Sequence, residues 1–404
     1  MHPLLPSPDH AAPTTPEFCP NEACRFHSRR TAAAHRWYAG HGSFHTRARG
    51  PIRRFRCRAC GRTCSTQTFS IHYWTHSTSN LAWLLGHLST CAGLRQTARL
   101  AGVTHRVVQN RCRRIARNAL AVMDLALDRL ELREHIAMDG FESYTRSQYH
   151  PNNITHIAGC RSQFVYSAVH TLLRRKGRMT EVQKRRREAI EEVWRPTRGL
   201  GEECRAMLSD LGEVIARACA GRHTPLQLRT DEHPAYGPAI HAVEWLRRCV
   251  QQRTLVHRRT SSRRARTTKN PLFAVNYVDR QLRLSLAEYV RETVRQGREV
   301  NAQMERLAIF LVVHNFITPH RVSGRANVLG EQTHAEVAGV AGEPVMRMLR
   351  TMLDRRQVYS HLSGASWWIR RIWLRLHENP PSVRRQRVRE VCLGQAAVPR
   401  YLLV

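Results

Sequence analysis

The stretch HIAMDGFESY, residues 135 to 144, places a carboxylate where a buried strand ends. The apolar run 136–138 has the character of a buried strand, and Asp139 and Gly140 directly after it are turn-forming residues. A further acid, Glu142, follows two residues after Gly140. Acids in this position need a physical reason, because the chain as a whole is strongly basic.

A second acid stands in the same context further along the chain. In LQLRTDEHPAY, residues 226 to 236, Asp231 ends another short strand. Ligands of open α/β sheets bind at the carboxyl ends of the strands. Two carboxylates brought together there repel each other and resist ionisation unless a cation lies between them.

Carboxylate oxygens of this kind suit Mg²⁺ or Mn²⁺. Two such ions can clamp the attacking and leaving oxygens of a phosphoryl transfer. We therefore predict that Asp139 and Asp231 are catalytic residues that hold Mg²⁺ (or Mn²⁺) against a phosphodiester. The alternative is that both are ordinary turn-forming residues, one before Gly140 and one before Glu232.

The charge balance indicates a polyanionic partner. The 404 residues include 65 Lys and Arg against 31 Asp and Glu, which gives a formal net charge of +34. Such a surplus favours DNA, RNA or an anionic membrane. No apolar run approaches about 18 residues, and the first residues do not have the pattern of a signal peptide. We predict double-stranded DNA as the partner, no membrane, and a cytoplasmic location at the bacterial nucleoid; the alternative is that the charge only maintains solubility.

Four of the 12 cysteines form two close pairs. CPNEAC (19–24) has the spacing C-x4-C, RFRCRACGRTC (54–64) contains C-x2-C, and 32 residues separate the two pairs. Two knuckles that each offer two thiolates can close a tetrahedral zinc site. His27 could replace Cys24, and Cys64 could replace Cys60; the alternative is four unconnected cysteines. The predicted zinc ligands are Cys19, Cys24, Cys57 and Cys60.

A helix-turn-helix is predicted from GLRQTARLAGVTHRVVQNRCRRIARNAL, residues 93 to 120. The turn lies at 101–103, and Thr104 can cap the second helix. The second helix of such a motif lies in the major groove, where Gln, Asn and Arg reach base edges. A plain helical hairpin is the alternative. The predicted DNA-binding residues of this helix are His105, Arg106, Gln109, Asn110, Arg113 and Arg114.

Taken together, these features resemble the DDE transposases of bacterial insertion sequences, whose catalytic domain has an RNase H-like fold. The resemblance covers most of the chain. It rests on the cysteine knuckles, the helix-turn-helix, and the ordered stretches IAMDGFESY, LLRRKGRMTEVQ, LRTDEHPAY and a helix ending in HNF followed by THAEVAGV. In that family the first acid ends the first strand and the second ends the fourth, and these roles fall on Asp139 and Asp231.

The resemblance also implies a third acid on a later helix, here REVNAQMERLAIFLVVHNF, residues 298 to 316. The position that carries the acid in many relatives is Asn301 in this chain. We select Glu305 as the third catalytic residue, because a carboxylate beside an apolar stripe needs a partner and a metal ion would supply one. Glu299 and Asn301 itself remain alternatives, and Glu305 could also be part of a surface ion pair.

The predicted fold class is α/β. An RNase H-like catalytic domain at 131–330, with a mixed five-stranded sheet, flanking helices and a helical insertion at about 178–225, follows a zinc ribbon at 17–76 and a helix-turn-helix domain at 77–130. A disordered arm at 1–16 precedes them, and a basic helical region at 331–404 follows. Basic residues near the fifth strand and before the last acid are predicted phosphate contacts; they are His257, Arg258, Arg259, Arg291 and Arg298.

The resemblance therefore implies a transposase that cuts and joins DNA at the terminal inverted repeats of an insertion sequence, in a Mg²⁺-dependent reaction. Pairing of two DNA ends implies a homodimer or a higher oligomer. The alternatives are a non-catalytic DNA-binding regulator or decayed element, which the asparagine at position 301 favours, and a structure-specific nuclease of the same fold. The chain has no G-x-x-x-x-G-K-[ST] loop, which argues against an ATP-driven motor.

Overall fold

A computed structural model describes residues 15–128, 130–290, 295–320, 332–364 and 366–381 of the chain. Most of the predicted N-terminal arm (1–16), the predicted phosphate contact Arg291 and the end of the predicted C-terminal region (382–404) lie outside the described residues.

The N-terminal unit is a three-stranded antiparallel sheet of order β1-β2-β3, built on two cysteine knuckles. Its elements are the helix α1 (Arg29–Ala33) and the strands β1 (Tyr38–Thr46), β2 (Gly50–Cys57) and β3 (Thr63–Ser65). Its small core includes the aromatic side chains of Phe18, Trp37, Phe55 and Phe69, which are each at most 3% exposed. A core this small gains little from apolar burial alone, so a bound metal ion would add substantially to its stability.

Three helices follow the ribbon: α2 (Leu81–Leu88), α3 (Leu94–Leu100) and α4 (His105–Asp128). Gly102 allows the sharp turn between α3 and α4 because its φ of +62° lies in the left-handed region. The apolar residues of α4 recur every three or four positions, at Val108, Cys112, Ile115 and Ala119, and all are buried. This succession of helices is compatible with the predicted helix-turn-helix.

The central element is a five-stranded mixed sheet of order β6-β5-β4-β7-β8. Neighbours β4, β5 and β6 pair antiparallel, whereas β4–β7 and β7–β8 pair parallel. The predicted α/β class with a mixed five-stranded sheet is therefore confirmed. The strands are β4 (Ile136–Tyr144), β5 (Pro151–Gly159), β6 (Val165–Leu172), β7 (Leu226–Thr230) and β8 (Leu255–Arg259).

Helices pack on both faces of this sheet. Helix α6 packs against β6, and α9 packs over β4 and β5. The helices of this region are α5 (Glu181–Val193), α6 (Leu200–Ala220), α7 (Tyr236–Ala242), α8 (Glu244–Gln251) and α9 (Phe273–Ser285). The stretch predicted as a helical insertion thus contains α5, which is mostly exposed, and α6, which is part of the main core.

The remaining helices join the sheet region to the N-terminal units. They are α10 (Val300–Phe316), α11 (His334–Ala338), α12 (Glu343–Arg350) and α13 (Trp367–Trp373). Helix α10 is buried on nearly all sides and packs against α4. The chain after α12 returns to the ribbon, where the N–H of Ile71 donates to the carbonyl of Asp354 and the N–H of Arg356 donates to that of Phe69. The ribbon is thus fixed to the C-terminal region.

Candidate active site and metal centre

The four predicted zinc ligands come together at the tip of the ribbon. The thiol sulfurs of Cys19, Cys24, Cys57 and Cys60 all lie within 4.8 Å of one another. The Sγ atoms of Cys19 and Cys60 are 3.5 Å apart, and those of Cys24 and Cys57 are 3.8 Å apart. Four sulfurs bound tetrahedrally at about 2.3 Å from zinc would be about 3.8 Å from each other. The cluster therefore has the donor set and the spacing to bind a metal ion such as zinc.

The backbone of both knuckles is held independently of a metal ion. The N–H of Cys24 donates to the carbonyl of Asn21, and the N–H of Gly61 donates to that of Cys57. Gly61 has a φ of +72°, which the knuckle turn requires and which glycine adopts without strain. The two alternative ligands are engaged elsewhere or are outside the cluster: His27 binds the carbonyl of Cys19 and the hydroxyl of Ser360, and Cys64 is a buried residue of β3.

Replacing Cys57 by serine is expected to reduce bound zinc from one ion per chain to a small fraction, because a zinc site of this kind needs four soft thiolate ligands. Zinc content would be measured by elemental analysis of the purified, dialysed protein. The matched control is Cys64→Ser, a buried cysteine on the adjacent strand, which should retain the full complement. Equal zinc loss in both variants would contradict this ligand assignment.

The second site lies where β4 and β7 run side by side. The pairing of Met138 with Thr230 is the last one between these two parallel strands, so Asp139 and Asp231 follow it on neighbouring strands. The structure therefore brings the first two predicted acids to neighbouring positions where the β4–β7 pairing ends. The expectation that Asp139 ends its strand is wrong: β4 continues to Tyr144, because residues 139–144 remain paired with β5. Burial and the negative charge of Asp231 raise the pKa of Asp139 to about 6.

Local contacts orient both carboxylates. The N–H of Gly140 donates to Oδ1 of Asp139 at 2.8 Å, and the N–H of His233 donates to Oδ1 of Asp231 at 2.8 Å. A Cβ atom at Gly140 would lie 2.2 Å from the side-chain oxygen of Asn153 on the paired strand, so any larger residue would require this side chain to move. Glycine at position 140 is thus explained by the close approach of β5, whereas the predicted turn is not formed, because Asp139 and Gly140 are paired with β5 inside β4.

A buried tyrosine lies beside the carboxylate of Asp139. The hydroxyl of Tyr236, at the start of α7, lies 3.5 Å from Oδ1 of Asp139, and its side chain is 2% exposed. Its pKa is raised by burial and by the negative charges around it, among them those of Asp139, Asp231 and Asp279. The hydroxyl therefore remains protonated and can donate to Asp139.

Asp279 on α9 is an acid that the sequence analysis missed. Its side chain is buried against β4 and β5, and burial together with the charge of Asp139 raises its pKa to about 8. Its Oδ1 lies 3.7 Å from Nε2 of His156 and accepts no hydrogen bond from any described residue. Burial lowers the pKa of His156 to about 4, so this neighbour is neutral. The charges of Arg283 and Arg266 oppose the rise in the pKa of Asp279 without cancelling it, and no described arginine or lysine forms a salt bridge with this carboxylate.

Two carboxylates with raised pKa values and a third acid beside them are suited to divalent cations. A buried carboxylate is strongly unfavourable unless a charge or metal compensates it. Within the part of the chain that the structure describes, only the four cysteines form a group of three or more ligand atoms all within 4.8 Å. The carboxylates of Asp139, Asp231 and Asp279 therefore do not form such a compact group.

The free energy of unfolding of the metal-free protein should decrease as the pH rises from about 4 to 8. Asp139 and Asp279 have raised pKa values, so the folded protein binds more protons in this window than the unfolded chain. Mg²⁺ binds the deprotonated carboxylates, so the rise in melting temperature caused by Mg²⁺ should grow from pH 6 to pH 8. Melting curves with Mg²⁺ or EDTA would measure both trends. In Asp279→Asn the upper half of the pH dependence should disappear; an unchanged profile would argue against this carboxylate.

The structure does not bring Glu305 to this site. Its carboxylate is 2% exposed and lies against two arginines: Nε of Arg113 on α4 is 3.2 Å from its Oε1, and Arg375 after α13 donates to the same oxygen. Burial raises the pKa of Glu305, and the charges of Arg375 and Arg113 oppose this shift. Glu305 is therefore compensated by arginines, in a buried ion pair rather than the surface pair considered above.

Asn301 and Glu299, the alternatives to Glu305 as third catalytic residue, both contact the segment that follows α13. The side chain of Asn301 accepts a hydrogen bond from the N–H of His377 and donates one to its carbonyl, at 3.1 and 3.2 Å. Glu299 pairs with Arg375. An amide fits the position of Asn301 because it must both donate and accept, which a carboxylate cannot do. The asparagine at this position therefore has a structural explanation.

The predicted DNA-reading helix is exposed only at its beginning. His105 and Arg106 are exposed and Gln109 is partly exposed. Arg113 is engaged by Glu305, whereas Arg114 is buried and donates to the carbonyl of Ile71 and to the side chain of Asn110. The first turn of α4 is thus exposed to solvent, whereas Arg113 and Arg114 are engaged by other parts of the protein.

The predicted phosphate contacts at the fifth strand differ in exposure. Arg258 and Arg259 are exposed at the end of β8 and line an open pocket. His257 is turned to the opposite face, where its Nε2 lies 2.9 Å from the hydroxyl of Thr230. Arg298 is exposed just before α10.

No protein-family model matches the chain, and a search of curated proteins finds none similar to it. None of the described helices combines the length and apolar character needed to cross a membrane.

Proposed function

We propose that this protein is a DNA transposase, which cuts and joins DNA through a Mg²⁺-dependent active site formed by Asp139, Asp231 and Asp279. The observation that carries the proposal is the position of Asp139 and Asp231 directly after the last pair between the adjacent parallel strands β4 and β7, in a sheet of order β6-β5-β4-β7-β8. Three antiparallel strands followed by two parallel ones is also the strand arrangement of RNase H-like folds, which the sequence resemblance implies.

Asp279 takes the place that the sequence analysis gave to Glu305. It lies on α9, which is the helix that directly follows the last strand of the sheet and packs over β4 and β5. Its charge is coupled to that of Asp139, whereas the carboxylate of Glu305 is compensated by Arg113 and Arg375. Of the two, Asp279 is therefore the better candidate for a metal ligand.

Mg²⁺ bound by these carboxylates would supply positive charge to the phosphoryl group as negative charge develops on it. Asp139 and Asp231 would hold it as ionised carboxylates, oriented by the N–H groups of Gly140 and His233. In cleavage, water attacks the phosphorus and the bond to the 3′-oxygen breaks, which frees a 3′-hydroxyl. In joining, this hydroxyl attacks a phosphodiester of the target strand and displaces its 3′-oxygen.

The ribbon and the first turns of α4 would bind the ends of the element, because both combine exposed basic residues with a rigid support. The net charge of +34 supports a DNA partner. Pairing of two ends would require at least a dimer. The non-catalytic regulator loses its main support, since the amide of Asn301 is explained by its contacts with His377.

The test is a cleavage and strand-transfer assay on labelled DNA that carries the element's own ends, with Mg²⁺ or EDTA. The wild-type protein should form joined products only with Mg²⁺, and Asp139→Asn should bind the ends with unchanged affinity but lose at least about 100-fold in cleavage rate, since metal ions contribute several kcal/mol. Cleavage without joined products would indicate the nuclease. Cleavage by Asp139→Asn at the wild-type rate would refute the proposed site.

A further inference from the structure

The open pocket beside β8 is formed by a sheet face that carries charge instead of apolar residues. Along β7, Leu226, Leu228 and Thr230 are buried, whereas Gln227 and Arg229 between them are only partly buried. Gln227 and Arg229 line a pocket of about 480 Å³ together with residues of β8 and of the loop that leads to α9. A polar strand face of this kind is suited to a polar ligand.

Five cations line this pocket, and no acid does. They are Arg229, Arg258, Arg259, Arg264 and Lys269. Among the described residues, no carboxylate forms a salt bridge with any of them, although the exposed arginines Arg217 and Arg248 pair with glutamates on their own helices. Like charges around one concavity repel each other, and an anion would relieve this repulsion.

The loop that carries two of these cations is held in place from inside. Asn270 is 6% exposed, and its side-chain amide donates to the carbonyl of Ala265 at 2.9 Å while its oxygen accepts from the N–H of Leu272 at 2.8 Å. The N–H of Thr260 donates to the carbonyl of Thr230 and fixes the other end of the loop to β7. The pocket is therefore formed before a ligand arrives, which lowers the cost of binding.

The pocket and the acids share one face of the sheet. Arg229 pairs in register with Ala137 on β4 and with Arg258 on β8. Asp139 follows Ala137 by two residues, so its side chain points to the same face as that of Arg229, about 7 Å further along the strands. At about 3.4 Å per nucleotide, this displacement corresponds to roughly two nucleotides of one stacked strand.

We propose that this pocket binds a phosphodiester of the DNA strand that is being cut, about two nucleotides from the scissile bond. The proposal rests on the proposed function, because it takes the scissile phosphate to lie at Asp139 and Asp231. Guanidinium groups suit this ligand, since their planar donors bind phosphate oxygens in pairs. Contacts to the backbone position the strand without reading its sequence.

The first test measures binding without cleavage. The double variant Arg258→Gln/Arg264→Gln, in an Asp139→Asn background, would be titrated with a labelled oligothymidylate of about ten nucleotides at several salt concentrations. We expect at least about a tenfold weaker affinity and a log–log salt slope smaller by about 1.4, because two contacts to a single strand are lost. The matched control is Arg205→Gln, an exposed arginine of α6 outside every described salt bridge, which should stay within about twofold.

The second test locates the phosphate. One neutral methylphosphonate at a time would be placed along the cut strand of an end-bearing duplex, and affinity would be measured for Asp139→Asn with and without the pocket substitutions. One linkage near the scissile bond should weaken binding to the intact pocket about tenfold and have no effect on the double variant, as in a double-mutant cycle. The two substituted side chains, Arg258 and Arg264, are exposed, so the melting temperature should be unchanged.

The proposal would be overturned if the pocket substitutions left the affinity and the salt slope of Asp139→Asn unchanged. It would also be overturned if each neutral linkage reduced the affinity equally with and without these substitutions. Neither outcome depends on catalysis. If the wild-type protein fails to cleave DNA but the pocket substitutions still weaken binding, the proposed function fails and the pocket remains a phosphate site.

Discussion

Asp279→Asn should abolish Mg²⁺-dependent cleavage, with a loss of at least about 100-fold, and should leave the protein as stable as the wild type or more stable. Activity falls because an amide is a poor ligand for Mg²⁺, and each metal contact is worth several kcal/mol in the transition state. Stability does not fall because the substitution removes a buried carboxyl whose pKa is raised to about 8. Residues selected for function often reduce stability in this way.

Single-turnover cleavage and chemical unfolding at pH 8 would be measured on the same preparation. The control is Asp210→Asn on α6, where burial likewise raises the pKa of the carboxyl, to about 6. Asp210 is not part of the proposed metal site, and its carboxylate accepts a hydrogen bond from the N–H of Trp368. Its substitution should leave the cleavage rate within about threefold of the wild-type rate. If Asp279→Asn cleaved at the wild-type rate, the third ligand would have to be sought outside α9.

Glu305→Gln is expected to reduce stability and to leave cleavage nearly unchanged, which is the opposite of Asp279→Asn. The free energy of unfolding should fall by about 3 kcal/mol, and the cleavage rate below the melting temperature should change little. Removing one partner of a buried ion pair leaves the other charges uncompensated, which typically costs 3–5 kcal/mol. The lower end applies because Arg375 keeps its pairing with Glu299, and Arg113 is partly exposed.

Denaturant unfolding would measure this loss, and the cleavage assay at low temperature would separate it from catalysis. The matched control is Glu343→Gln on α12, an exposed glutamate that pairs with Arg347 and Arg350; it should cost less than about 1 kcal/mol. Loss of cleavage by Glu305→Gln without loss of stability would restore Glu305 as a metal ligand.

The two predicted features that the structure brings together are those with a local physical cause. The zinc ligands occur in pairs on two knuckles, and each knuckle is set by its own turn, as Gly61 shows with its positive φ. Asp139 lies within β4 and Asp231 follows β7, and both come directly after the last pair between these two parallel strands. The sequence can indicate such features because each member is marked by its own immediate neighbours, the second cysteine of a knuckle or the apolar residues of a strand.

The third acid could not be found in the same way, because its environment depends on packing between distant segments. Helix α10 is apolar and buried on nearly all sides, so any acid on it, such as Glu305, looks in sequence like a ligand in need of a metal. What compensates Glu305 is Arg375, 70 residues later. Asp279 lies on a helix with no motif around it. It becomes a candidate ligand only because α9 packs over β4 and β5 and brings it near Asp139.

The sequence by itself determined the class of the fold, the cysteine cluster and the first two acids, since strand periodicity, turn residues and ligand spacing are encoded over a few neighbouring positions. Only the tertiary structure decided which carboxylates face each other, which arginines are already paired and which remain free to meet phosphate. Charges act through space, and the groups that surround Glu305 and Asp139 come from segments that no local pattern connects.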